Sequence, residues 1–79
     1  MQEREAIALK KSGDLTNLYI YRQPKKEGWI IKLHTRSGGG KEDVLVTKRE
    51  KTSRIFKTSD AALRWSQRMG FNEVTVLLS

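Results

Sequence analysis

Hydrophobic and polar residues alternate along several short segments in the first two thirds of the chain. Residues 18–22 (LYIYR), 29–36 (WIIKLHTR) and 43–49 (DVLVTKR) each mix β-branched or aromatic residues with polar ones at a period of two. Because successive side chains of a strand point to opposite faces, this period predicts three β-strands. Residues 54–57 (RIFK) have the composition of a fourth short strand.

Short polar segments separate the predicted strands. Residues 23–28 (QPKKEG) contain the only proline, residues 37–41 have the sequence SGGGK, and residues 50–53 have the sequence EKTS. Tight connections of this kind join neighbouring antiparallel strands, whereas parallel strands need long crossovers. The four strands are therefore predicted to form an antiparallel meander.

The period changes after residue 57. Residues 58–70 (TSDAALRWSQRMG) place Ala62, Trp65 and Met69 at helical spacings of three and four. Thr58 or Ser59 is a suitable N-cap, and Gly70 follows the last turn as a suitable left-handed C-cap. This segment is the strongest helix prediction in the chain, and residues 73–78 (EVTVLL) predict a final strand.

The sequence as a whole predicts one small α+β domain over residues 1–79, since the chain is too short for two. Its expected architecture is an antiparallel meander sheet of about four strands packed on one C-terminal helix, followed by a final strand. Residues 1–14 are left open, because EREAIALKK fits a short helix, a strand or a mobile segment.

The net charge of +7 lies in the middle of the chain. Residues 15–57 hold eleven basic and four acidic side chains, whereas the two flanking segments are balanced. A localised positive field attracts nucleic acid, an anionic membrane or an acidic partner protein, although it also suits a surface that only keeps the protein soluble. No apolar run reaches the length of a membrane span and no signal-peptide core is present, so a cytoplasmic protein is expected.

Candidate catalytic chemistry is sparse. The glycine run is not a phosphate-binding loop, because Gly40 and Lys41 are followed by Glu42 in place of a hydroxyl residue, and a strand follows in place of a helix. His34 is the sole histidine, there are no cysteines, and no acidic cluster has metal-ligand spacing. The sequence therefore predicts a binding protein with no enzymatic activity, no cofactor, no metal and no small-molecule substrate.

Strand periodicity predicts where the binding surface lies. If Trp29, Ile31 and Leu33 pack beneath the helix, with Val44 and Val46 also inward, the opposite face of the sheet carries tyrosines and cations. Cations interleaved with aromatic rings suit phosphate contacts and base stacking or groove insertion. The turns add further lysines, including Lys57. The candidate nucleic-acid-binding residues are Tyr19, Tyr21, Lys25, Lys26, Lys32, His34, Arg36, Lys41, Lys48, Arg49, Lys51 and Arg54.

The segments GWIIKLHTR and RIFKTSDAALRW resemble DNA-binding domains built from a three-stranded sheet and a helix, such as the arm-binding domains of tyrosine recombinases and the plant AP2 domains. This resemblance covers residues 28–65 and implies a sheet laid in the DNA major groove. The final strand and the number of strands before the helix depart from that pattern. Residues 45–78 are also similar to small accessory proteins encoded on bacterial plasmids beside partition or replication genes.

The expected function is therefore binding of nucleic acid, with DNA preferred to RNA through the resemblance, as a bacterial plasmid-maintenance or recombination accessory factor. The alternative is a protein-interaction or dimerisation module that binds an acidic partner and no nucleic acid. Ile30 supports the alternative, because it lies on the charged face and suggests a second packed layer, such as a homodimer interface.

Overall fold

The structure is a computed structural model of the chain that describes residues 1–37, 42–50 and 52–78. Its elements in chain order are α1 (Glu3–Lys11), β1 (Leu15–Arg22), β2 (Trp29–Thr35), β3 (Glu42–Val44), α2 (Ser59–Arg68) and β4 (Thr75–Leu77). The α+β class is confirmed, but the described residues form two helices, and residues 1–14 supply the first of them.

The four strands form one sheet in the order β3-β2-β1-β4. The β1–β2 and β2–β3 pairs are antiparallel, as predicted, whereas β1 and β4 are parallel. The expected antiparallel meander of four consecutive strands is therefore wrong. The fourth strand of the sheet is β4, near the end of the chain. Helix α2 crosses the sheet between β3 and β4, so that β4 lies on the free side of β1. A helical crossover of this kind permits parallel pairing.

The predicted strand at residues 54–57 is also wrong. Phe56 makes only an isolated bridge, in which its N–H and C=O bond reciprocally with Trp29 at 2.8 Å. Arg54 N donates to Leu45 O at 2.8 Å, and Ser53 makes an isolated bridge with Val46. Leu45, whose N–H donates to Ile31 O at 2.8 Å, and Phe56 thus lie beside the first half of β2 without adding a strand.

The hydrophobic core lies between one face of the sheet and the two helices. Leu18 pairs with Leu33, and Ile20 pairs with Ile31, so four apolar side chains form a row on this helix-side face. Each is at most 2% exposed, and they pack with Ala6 of α1 and with Ala62 and Trp65 of α2. The stripe predicted for α2 is therefore confirmed, with Trp65 as its largest buried residue.

Local signals in the sequence explain both ends of α2. The Thr58 hydroxyl accepts a hydrogen bond from Ala61 N at 3.1 Å, which satisfies one of the free N–H groups of the first turn. Gly70 follows the helix with a φ of +92°, and Phe71 N donates to Ser66 O at 3.1 Å. This closure matches the predicted glycine C-cap.

Helix α1 is held against α2 by a charged contact at its first turn. The Glu3 carboxylate accepts from Trp65 Nε1 at 2.5 Å and from Arg54 Nη1 at 3.0 Å. The indole N–H of a buried tryptophan needs such an acceptor. The hydrogen bond from Trp65, followed by that from Arg54, holds the pKa of Glu3 below its ordinary value.

We predict that Glu3→Gln lowers the free energy of unfolding at neutral pH by about 1 kcal/mol, because Glu3 is half exposed and solvent screens its ion pair. Since the pKa of Glu3 is depressed in the folded state, the wild-type advantage is complete above the ordinary pKa of 4.5 and is lost as the pH falls through the folded-state value. Urea denaturation of both proteins across this range measures the difference. Glu5→Gln on the same helix is the control, and an equal loss there would contradict the assignment.

A second prediction concerns Gly28, which has a φ of +112° at the end of the β1–β2 turn. A Cβ atom at this position would overlap Ile55 Cγ2 and lie 3.2 Å from Phe56 O. Gly28→Ala is therefore expected to lower the free energy of unfolding by about 2–3 kcal/mol. Gly13→Ala is the matched control, because Gly13 also has a positive φ but open space around it. A loss at Gly28 no larger than at Gly13 would refute the close packing of this turn.

Candidate nucleic-acid interface

The face of the sheet opposite the helices carries aromatic and cationic side chains, and we call it the open face. Tyr19 pairs with Lys32, Tyr21 with Ile30, and His34 with Glu42, so these residues all point away from the core. The prediction that Tyr19, Tyr21, Lys32 and His34 share a face is therefore consistent with the register. Neither helix packs on this side.

The side chains of the open face contact one another. The rings of Tyr19 and His34 have centroids 4.8 Å apart, and those of Tyr19 and Tyr21 are 6.3 Å apart, both pairs being tilted. Lys32 Nζ lies 4.5 Å from the centroid of the Tyr21 ring. The result is a continuous aromatic row of half-buried rings that runs from Tyr21 through Tyr19 to His34 of β2, with one ammonium group beside it.

Glu42 also lies among these groups, although it is not one of the predicted site residues. Its carboxylate accepts a hydrogen bond from the Tyr21 hydroxyl at 3.2 Å and lies 3.5 Å from Lys32 Nζ. His34 Nε2 is 3.4 Å from the same carboxylate, but its alignment is too poor for a regular hydrogen bond. The open face therefore carries less positive charge than the count of its cations suggests.

These contacts shift two pKa values. The close approach of His34 Nε2, and after it the hydrogen bond from Tyr21 and the charge of Lys32, lower the pKa of Glu42 below its ordinary value, so Glu42 is an anion at neutral pH. Burial, and then the Glu42 charge, raise the pKa of Tyr21 above its ordinary value, so Tyr21 stays neutral and can donate its hydroxyl proton. At neutral pH Glu42 thus orders the polar groups around it.

Among the described residues, the largest group of neighbouring cations lies at one end of the sheet, around the turn between β1 and β2. Two neighbouring depressions flank this turn, one on each side of the sheet, and they share Arg22, Lys25 and Lys26. Lys32, Tyr21 and Ile30 line the depression on the open face, and Lys57 and Trp29 line the other. We call this region the cationic end; its charged residues are Arg22, Lys25, Lys26, Lys32 and Lys57, against the single acid Glu27.

The remaining predicted cations lie elsewhere. Arg36 follows the opposite end of β2, where its N–H donates to Asp14 O at 2.8 Å. Arg49 lies in an exposed turn at residues 48–50, off the sheet face to which it was assigned. Lys48 and Arg54 line a groove beside α1 together with Arg4. Lys41 and Lys51, like the glycines at 38–40, lie outside the described residues.

One inward assignment was wrong, and two residues of the cationic end were missed. Val44 pairs with Lys32 and therefore faces outward, whereas Leu45 is fully buried in its place. Trp29 is half-buried and packs against the core, as predicted, but its place at the cationic end was not predicted, and Arg22 was given no role. Both follow the helix-side parity but lie at the end of the sheet, in the helix-side depression beside the turn. Their position next to the lysine-rich turn was the available signal.

Comparison of the chain with protein-family models, with curated protein sequences and with solved structures gave no significant match. The resemblances to DNA-binding domains and to plasmid-borne proteins therefore stay predictions. Neither helix within the described ranges has the length and apolar character that a membrane crossing requires. Over the same ranges, no three His, Asp or Glu side chains come together in a group that could hold a metal ion.

The contacts of Glu42 lead to a prediction that does not depend on function. Glu42→Gln removes the negative charge beside the Tyr21 hydroxyl, so the pKa of Tyr21 is expected to fall towards its ordinary value of 10.0. Absorbance titration of tyrosine in a Tyr19→Phe background follows this single group, since the chain has two tyrosines. Asp43→Asn is the matched control, because Asp43 pairs with Leu33 and points to the other face. An unchanged pKa in Glu42→Gln would contradict the described contact.

Proposed function

We propose that this protein binds nucleic acid, with the phosphates held at the cationic end and the bases lying on the open face. The single observation that carries the proposal is the grouping of five cations around one turn, directly beside Tyr21 and Trp29. Positive charge supplies most of the free energy of nonspecific binding to nucleic acid, and adjacent rings supply stacking. The grouping combines both on one continuous surface.

The cations of the cationic end are available to a ligand. Arg22, Lys25, Lys26 and Lys57 are exposed, and none has an acidic partner among the described residues. Exposed ammonium and guanidinium groups without partners can neutralise phosphates without first breaking an ion pair. Lys32 differs, because a phosphate would have to compete with Glu42 for it.

The aromatic row favours single-stranded nucleic acid over an intact duplex. Base stacking on aromatic side chains requires unpaired bases, and each stacked base contributes about 1–3 kcal/mol. Tyr21 lies at the cationic end, and Tyr19 continues the row towards His34. A nucleic-acid strand bound beside the turn would therefore contact the rings one after another. Duplex DNA, which the resemblance implies, would use the cations but not the rings.

The finer role proposed from the resemblance is that of a bacterial DNA-transaction factor, in plasmid maintenance or recombination. It rests on the quoted segments alone. The preference for DNA over RNA has the same basis, since phosphates and ring faces do not distinguish the two sugars.

The second candidate function is docking of an acidic partner protein on the open face. Ile30, Val44 and Leu77 favour it, because their register places three apolar side chains outward around the tyrosines. This candidate predicts no binding to any nucleic-acid probe.

A titration of labelled oligonucleotides tests the first candidate. Single-stranded DNA, single-stranded RNA and duplex DNA of equal length are compared, and the single strands are expected to bind more tightly. About five phosphate contacts predict a loss of affinity of about 100-fold between about 50 and about 200 mM salt. Failure to bind any probe at the lower salt concentration would overturn the proposal in favour of protein docking.

Charge reversal locates the surface. Lys25→Glu with Lys26→Glu changes the charge of the cationic end by the same amount as Arg36→Glu with Arg49→Glu changes it elsewhere. We expect the first pair to lose at least about 100-fold in affinity and the second pair only a few-fold through the weaker long-range field. Circular dichroism checks that both pairs fold, and equal losses would refute the cationic end as the site.

A further inference from the structure

We propose that the outer edge of β4 pairs with β4 of a second copy of this chain, in an antiparallel two-fold arrangement that joins two sheets into one. This inference does not rest on the proposed function, because it concerns backbone groups on the outer side of β4. Of residues 74–78, Leu78 also lines the helix-side depression of the cationic end. It rests on the difference between the two edges of the sheet.

The first edge, at β3, is covered within the chain at its Val44 end and carries charged side chains at Glu42 and Asp43. The N-terminal ammonium group of Met1 donates to Val44 O at 2.8 Å and to Asp43 Oδ1 at 3.2 Å. Val46 N donates to Met1 O at 2.7 Å, and Gln2 bridges Val46 in the parallel sense. Glu42 and Asp43 add two negative charges to this edge. Covering residues and charged side chains are the usual means by which a sheet edge avoids pairing with another chain.

The second edge, at β4, has neither protection. Its inner side pairs with β1 through Thr75, Val76 and Leu77, and no described residue pairs with its outer side. Residues 74–78 (VTVLL) contain no charged residue, proline or glycine. Val76 is 37% exposed and Leu78 is 68% exposed, which makes them two of the four large hydrophobic residues that the described part of the chain leaves exposed. Such a segment is a template for strand pairing.

The chemistry of the edge favours a second copy over the other occupants. Nucleic acid and acidic peptides both require cations, and residues 74–78 supply none. An identical uncharged strand is its own complement in an isologous antiparallel pair, because each backbone donor meets the corresponding acceptor of the other copy. The uncharged segment also lets two molecules of charge +7 approach without placing like charges opposite each other at the contact. A chain of 79 residues buries a modest core, so the added contact also stabilises the fold.

The covered first edge limits the assembly to two copies. A chain with two bare edges would add strands at both and grow into a filament, whereas a chain with one bare edge closes after a single pairing. The expected species is therefore a dimer with one continuous sheet and not a larger oligomer.

Sedimentation equilibrium of the full chain over a range of concentrations tests this inference. We expect the wild type to reach twice the mass of one chain and to stop there. Val76→Lys and Leu78→Lys place a charge at the edge, and each is expected to weaken dimerisation at least tenfold. Ile7→Lys is the matched control, because Ile7 is a similarly exposed apolar residue (39%) on α1, and this variant should dimerise as the wild type does. A monomeric wild type, an unlimited assembly, or a dimer that resists both edge variants would each overturn the inference.

Hydrogen exchange of the wild type provides a readout that needs no variant. Those amides of residues 75–77 that point away from β1 should become more protected as the concentration rises, whereas the amides of β3 should not change. Protection that does not depend on concentration would overturn the pairing even if Val76→Lys fails to fold. Salt distinguishes this result from the proposed function, because salt screens the repulsion between two cationic copies and strengthens dimerisation, whereas it weakens nucleic-acid binding.

Discussion

The register between β1 and β2 is the constraint on which the rest of the structure depends. It places Leu18 opposite Leu33 and Ile20 opposite Ile31, so that four apolar side chains face Trp65 together. A slip of β1 by one residue against β2 would move Leu18 and Ile20 to solvent and bring the tyrosines beneath the helices. Burying a row of this size contributes several kcal/mol, on the order of 1.5–3 kcal/mol for each large apolar side chain, so the alternative register is excluded.

The same register determines the chemistry of the open face. Once the apolar row is buried, Tyr19 and Tyr21 must lie beside Lys32 and His34, and Glu42 must lie opposite His34 on the next strand. The Glu42 carboxylate therefore lies on a face that the distribution of charge along the chain predicts to be positive. As a result, the accessible positive charge lies at the turn at the end of the face and not in its middle. The exposed lysines of this turn have no acidic partners among the described residues.

Local sequence patterns predicted the features that depend on neighbouring residues, namely two strands and one helix. Tertiary contacts determine the strand pairing and the direction of the side chains in β3. Period-two alternation located β1 and β2 and the face of Tyr21, and the helical stripe located α2 with its Thr58 cap. Local patterns could not predict the pairing of β4 with β1, because a short apolar segment gives no signal that distinguishes parallel from antiparallel pairing. Parity failed at β3, where either Val44 or Leu45 can turn inward and only pairing with Lys32 decides between them. Helix α1 was ambiguous because a nine-residue segment that buries only Ala6 has almost no periodic signal.

The parallel pairing of β1 with β4 connects the two proposals. Leu77 lies opposite Tyr21, so the C-terminal end of β4 is at the cationic end of the sheet, where Leu78 joins the lining of the helix-side depression. In an antiparallel two-fold pair of β4 strands, the two cationic ends must then lie at opposite ends of the joined sheet, with both tyrosine rows between them on one face. A single-stranded nucleic acid that crosses this face would contact both cationic ends. Because both ends belong to one dimer, the second contact would form at a high effective concentration. Dimerisation would therefore raise the affinity for a long single-stranded nucleic acid far more than for a short one that reaches only one cationic end, without any change in the individual contacts.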